Sequence, residues 1–154
     1  MAKDGSTGKE LEADPKLKPL ETLVGEWEIE IVHSMFPRPI HGSASFEWFQ
    51  GGKFLIEQSE MDDSVFPAGI MIIGYNEATG NYTQHYFDSR GVIRNYDLSL
   101  RDNTLKIWRN DPDFSQRFEG IFSEDGNTIP SHWEKAMDGI NYEHDFDMTF
   151  RRKQ

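Results

Sequence analysis

From residue 26 onward the chain runs in short alternating stretches. Glu26, Trp27, Glu28, Ile29, Glu30 and Ile31 place an apolar side chain at every second position. That is the period of a strand with one face buried and the other in water. Ten such segments follow one another, at about 26–35, 40–50, 53–61, 69–76, 81–88, 92–100, 104–109, 115–123, 128–137 and 142–151, each bounded by turn-forming residues. None carries a long 3.6-residue period, so no helix is on hand to cross between parallel strands. The sheet is therefore expected to be an antiparallel meander. Left open, ten strands would expose two edges, and closure into an up-and-down barrel removes both.

Ahead of the first strand the period changes. Leu20 and Leu23 lie one helical turn apart, and Gly25 suits the end of such a turn because it adopts positive φ without a Cβ penalty. Asp14-Pro15 or Lys18-Pro19 can open the helix, since proline is tolerated at the first helical position. A short N-terminal helix plugging one end of the barrel is the expectation. Residues 1–14 carry almost nothing to bury and read as a flexible tail, leaving 15–154 as a single barrel domain.

The connections sort into two kinds. Gly51-Gly52, Glu77 to Gly80, Arg101 to Asn103 and Glu124 to Asn127 are tight and polar. The alternate connections hold Phe36, Arg38, Val65, Phe66, Arg90 and Phe114. In a meander every second connection falls at the same end. Those apolar residues and arginines should thus gather at one rim, opposite the plug, as the mouth of the barrel.

Composition narrows the function classes. The 154 residues carry a formal net charge of −11, which argues against nucleic acid and against anionic membranes. No apolar run approaches the ~20 residues of a membrane-spanning helix, and the N-terminus has no apolar signal core, so a cytoplasmic location is expected. The sequence contains no cysteine, which removes disulfides, thiolate metal sites and a cysteine nucleophile.

Leu20-x-x-Leu23-x-Gly25-x-Trp27, then Gly74-Tyr75-Asn76 with Thr79-Gly80-x-Tyr82, and Trp133 with Asp138-Gly139 together resemble an uncharacterised bacterial family of calycin-like domains. The likeness covers most of the chain after Leu17. It implies a barrel around a central cavity and supplies no established reaction. Lipocalins and fatty-acid-binding proteins share the Gly-x-Trp start, but Met35 to Pro39 leaves no room for the two lid helices of the latter. Haem-binding nitrobindin-like barrels also share Gly-x-Trp. Their glycine-rich continuation is absent, since Glu28 to Ile31 holds no glycine, so no cofactor is expected and haem stays an alternative.

Strict alternation assigns the inward faces. It turns His33, Arg94, Tyr96, Gln116, Lys135, Tyr142 and His144 into the barrel, and most of these fall near the mouth ends of their strands. Trp27, Trp48, Leu100, Phe122, Ile129 and Phe150 fill the plug end. An apolar pocket with a few polar groups at its opening is the usual form of a small-molecule site. The expected function is therefore binding of a small, largely hydrophobic or aromatic ligand, with these seven residues as its polar contacts. His144, in a row of aromatic and methionine side chains, is the sharpest candidate, and His33 should pair with it across the first and last strands. The alternative is an enzyme acting on a hydrophobic small molecule, with His144 or His33 as acid–base. No Gly-x-Ser-x-Gly, phosphate loop or metal-ligand spacing is present. The aromatic rim also suits a homodimer contact.

Overall fold

The computed structural model describes residues 13–154. Its strands are β1 (Gly25–Val32), β2 (Ile40–Trp48), β3 (Leu55–Met61), β4 (Gly69–Asn76), β5 (Asn81–Asp88), β6 (Ile93–Arg101), β7 (Thr104–Arg109), β8 (Ser115–Ile121), β9 (Thr128–Ala136) and β10 (Glu143–Arg152). They form a closed antiparallel barrel in sequence order, β1 pairing with both β2 and β10. Closure leaves no unpaired edge, which is how a sheet this wide avoids templating aggregation. The expected tail falls on residues outside those described, apart from Ala13 and Asp14. The Asp14 side chain accepts a hydrogen bond from the Lys16 backbone N–H at 3.0 Å and caps the helix.

That helix, Pro15–Leu23, is 3₁₀. Three residues per turn bring Leu17, Leu20 and Leu23 onto one face, and all three are buried. Gly25 takes positive φ just past the helix, as its position suggests, and a close contact adds a second constraint. Val24 ends the helix, its N–H donating to the Glu21 carbonyl at 3.1 Å. Gly25 follows at φ +127°, and a Cβ there would meet Arg152 Nη1 at 2.9 Å.

Arg152 closes the plugged end. Its Nη1 donates to the Val24 carbonyl and its Nη2 to the Thr22 carbonyl, each at 2.6 Å, while Nε donates to Asn127 Oδ1 at 3.2 Å. Its guanidinium also lies 4.2 Å from the ring centre of Trp27. One side chain thus ties the end of the helix to the β8–β9 turn. Trp27 sits beneath it, fully buried among Phe122 and Phe150.

Alternation holds along β1, where Trp27, Ile29 and Ile31 face in. It breaks once in β10. His144 pairs with Glu134 and Phe146 with Trp133, so Asp145 is an extra residue with no partner on β9. This is a β-bulge, and a bulge reverses the inside–outside assignment on one side of it.

Candidate functional site

The mouth is built from four connections. Phe36 from β1–β2 contacts Phe66 from β3–β4 with ring centres 5.8 Å apart, and Phe66 meets Phe146 of β10 at the same distance. Phe114 from β7–β8 completes the rim, held by Arg109, whose Nη1 donates to the Phe114 carbonyl at 2.7 Å. Arg90 from β5–β6 reaches the same opening. Arg38, expected there too, is exposed and does not line it.

Below the rim lies a cavity of about 420 Å³, lined by Phe36, Phe66, Met71, Trp133, Phe146 and Met148 among others. This is the size and character of a small-molecule pocket. A larger concavity of about 530 Å³ lies against the outer wall of β2–β5, where Ser43, Ser45, Gln58 and Glu60 face water. It is an open groove of mixed character between outward side chains, with Ile70 and Phe87 exposed among the polar ones.

Four of the seven expected contacts line the inner cavity: His33, Arg94, Tyr96 and Gln116. Tyr96 is buried, and its hydroxyl donates to Gln116 Oε1 at 2.6 Å. Burial raises the Tyr96 phenol above its ordinary range, with the nearby Arg94 pulling the other way. The Arg94 guanidinium lies 5.2 Å from the centre of the Phe114 ring. No carboxylate comes within ion-pair distance of Arg94 among the described residues, so its charge is available to a ligand. Arg90, by contrast, is committed to Asp88, whose carboxylate accepts from Arg90 Nη2 and from the Tyr86 hydroxyl, each at 2.6 Å. Those bonds hold Asp88 far below the usual carboxylate range. The cluster fixes Tyr86 and Arg90 on the cavity wall.

The bulge corrects the other assignments. His144 is on the outer wall, its side chain 57% exposed, 3.4 Å from Asp147 and stacked on His132. Tyr142 is also outside, beneath the guanidinium of Arg117 at 3.7 Å. The inward position expected for His144 is taken by Asp145. Its Oδ1 lies 3.7 Å from His33 Nε2 and 3.6 Å from Lys135 Nζ. Lys135 therefore stands at the rim, paired, and does not line the cavity. The expected histidine pair is a histidine–aspartate pair. His33 Nδ1 accepts a hydrogen bond from the Met35 N–H at 3.0 Å, so the ring proton is on Nε2, directed at Asp145. The Nδ1 lone pair is thus taken by the backbone, and Nε2 faces Asp145 at a distance longer than a hydrogen bond.

Besides Asp145, two polar residues deep in the cavity were not among those expected. Glu57 of β3 and Gln84 of β5 are both buried at the deep end of the cavity. Leu55 and Met61 share a face with Glu57, but Ile56 lies on the opposite face, so the pattern of β3 does not point to Glu57. Among the described residues, no cluster of three or more His, Cys, Asp or Glu side chains could hold a metal ion. No helix there is long and apolar enough to cross a membrane.

A family model described as "Protein of unknown function (DUF1579)" matches residues 12–115, from the helix to the start of β8. The crystal structure of Rv2717c from M. tuberculosis matches with a TM-score of 0.66 at 13% sequence identity. The match covers 93% of this chain and 100% of that one. At that identity the likeness concerns the fold alone. No curated protein matches the sequence.

Proposed function

The chain belongs to DUF1579, a family of proteins of unknown function, and we propose that its calycin-like barrel binds a small molecule with an apolar or aromatic body. The observation that carries this reading is the cavity itself: about 420 Å³, opening between Phe36, Phe66 and Phe114, and walled by aromatic and methionine side chains. A barrel without a ligand to hold can fill such a space with larger side chains at no loss of stability. Arg94, with no carboxylate partner among the described residues, suits an anionic or strongly polar group on the ligand. Binding without reaction is the better reading, because His33, the one histidine on the cavity wall among the described residues, has its Nδ1 lone pair taken by the Met35 N–H and its Nε2 turned to Asp145. His144, the residue through which a haem reading would run, faces the other way.

Trp133 lines the cavity and reports on it. Titration with a panel of aromatic and fatty acids should quench its fluorescence, and Trp133→Phe should remove the quenching without removing binding. Arg94→Ala should weaken the acids about tenfold, the range of a lost charge-assisted contact, and leave neutral analogues unaffected. His144→Ala, on the outer wall, should change nothing. Equal binding of acids and neutral analogues by the parent would remove Arg94 from the account, and loss of binding in His144→Ala would contradict its position.

A further inference from the structure

The deep end of the cavity holds two polar side chains that form no bond with any other described residue. Glu57 and Gln84 face inward and are 8% and 4% exposed. Both line a recess of about 70 Å³ that shares Met71, Trp133 and Met148 with the chamber above. The cross-strand neighbours of Glu57 are Phe46 and Met71, and those of Gln84 are Ile73 and Tyr96. Neither side chain has an ion pair or a hydrogen bond among the described residues. No side-chain polar atom sealed inside the protein lacks a partner there, so the polar atoms of these two open onto the recess. Burying polar groups without partners is costly, and native interiors avoid it. Leucine at either position would spare that cost.

The chemistry of the pair is that of a donor site. Burial pushes the Glu57 carboxyl up to about 8, so near neutral pH it is mainly protonated and offers an O–H. Gln84 offers an amide N–H. No other titratable side chain among the described residues lines the recess, and His33, Tyr86, Arg90, Arg94, Tyr96 and Asp145 line the chamber above. We propose that Glu57 and Gln84 form a polar floor that binds the carbonyl oxygen of an uncharged ketone, ester or amide group, while the apolar body of that ligand fills the chamber. This rests on the reading of the cavity as a binding site.

The test uses three probes of similar shape on the full chain: 2-acetylnaphthalene, 2-isopropylnaphthalene and 2-(aminomethyl)naphthalene. Affinities are measured by titration calorimetry at pH 7 and pH 9.5. The ketone should bind about tenfold more tightly than the hydrocarbon at pH 7, the value of one hydrogen bond to an otherwise unpaired group. That advantage should shrink severalfold at pH 9.5, where the ionised carboxyl can no longer donate. Glu57→Gln keeps an N–H donor and cannot ionise, so it should keep the preference and lose its pH dependence. That variant separates Glu57 from the titratable groups of the upper chamber. Glu57→Leu should abolish the preference. Equal binding of ketone and hydrocarbon overturns the polar floor while leaving the cavity reading intact. An amine that binds most tightly, with affinity rising with pH, overturns it in favour of a cation site. Failure of all three probes to bind up to their solubility limits overturns both the floor and the cavity reading.

Discussion

Replacing Glu57 by glutamine is expected to stabilise the protein, by an amount that grows with pH. The carboxyl is buried in an apolar wall, and desolvation raises it from 4.5 to about 8 in the folded state. Below pH 4.5 it is neutral both folded and unfolded, and its ionisation costs folding nothing. Between 4.5 and 8 the unfolded chain releases the proton and the folded chain keeps it. Each pH unit in that window therefore favours the unfolded state by ~1.4 kcal/mol. At pH 7 the accumulated penalty is about 3 kcal/mol, and above pH 8 it levels off. Glutamine carries no such penalty. Urea unfolding of parent and Glu57→Gln should give curves that nearly coincide at pH 4.5 and separate steadily up to pH 8. Parallel stability profiles across that range would mean the carboxyl is not held neutral. A residue that destabilises its own fold near neutral pH needs another reason to be there, and stability given up for activity is a recurrent pattern at binding sites.

Truncating Trp27 should have the opposite effect and a larger one. The ring is fully buried at the plugged end, edge-on to Phe122 and Phe150 at 6.5 and 6.3 Å. Its Nε1–H donates to the Leu23 carbonyl at 2.8 Å, joining the barrel wall to the end of the 3₁₀ helix. Arg152 packs over the ring while bonding to the carbonyls of Thr22 and Val24. Trp27→Ala removes the packing, the hydrogen bond and the support of that guanidinium together. The expected loss is ~3–5 kcal/mol by denaturant unfolding. Trp27→Phe keeps most of the ring contacts and leaves the Leu23 carbonyl without its donor, so a smaller loss of ~1–2 kcal/mol is expected. An unchanged midpoint for Trp27→Ala would mean that the helix does not depend on the barrel wall for its place.

The architecture was legible because every strand carried its own signal. The two-residue period of β1, the Asp125-Gly126 turn and the tight polar connections each predict the same meander. A meander then dictates that Phe36, Phe66 and Phe114 share one rim. What alternation cannot reveal is a single inserted residue. From Tyr142 to Phe150 the letters alternate without a break, yet Asp145 is unpaired in the ladder and sends Tyr142 and His144 outward. The bulge belongs to the pairing of β10 with β9, and a strand read by itself contains no trace of its partner. The deep polar residues escaped for another reason. In β3 one face carries Leu55, Glu57, Ser59 and Met61 and the other Ile56, Gln58 and Glu60. Both are mixed, so hydrophobic pattern alone does not decide which is inside.

If small molecules bind inside this barrel, the four tryptophans locate that binding directly. Trp133 lines the cavity, Trp27 is sealed at the plugged end, Trp48 is half-buried against the core, and Trp108 borders a polar hollow on the outer wall. Their indole N–H signals can be followed in a nitrogen-15 correlation spectrum as 2-acetylnaphthalene is added. Binding in the cavity should give a saturable shift of the Trp133 indole, with Trp27 and Trp108 unmoved. A shift confined to Trp108, or no indole shift up to the solubility limit of the probe, would contradict it.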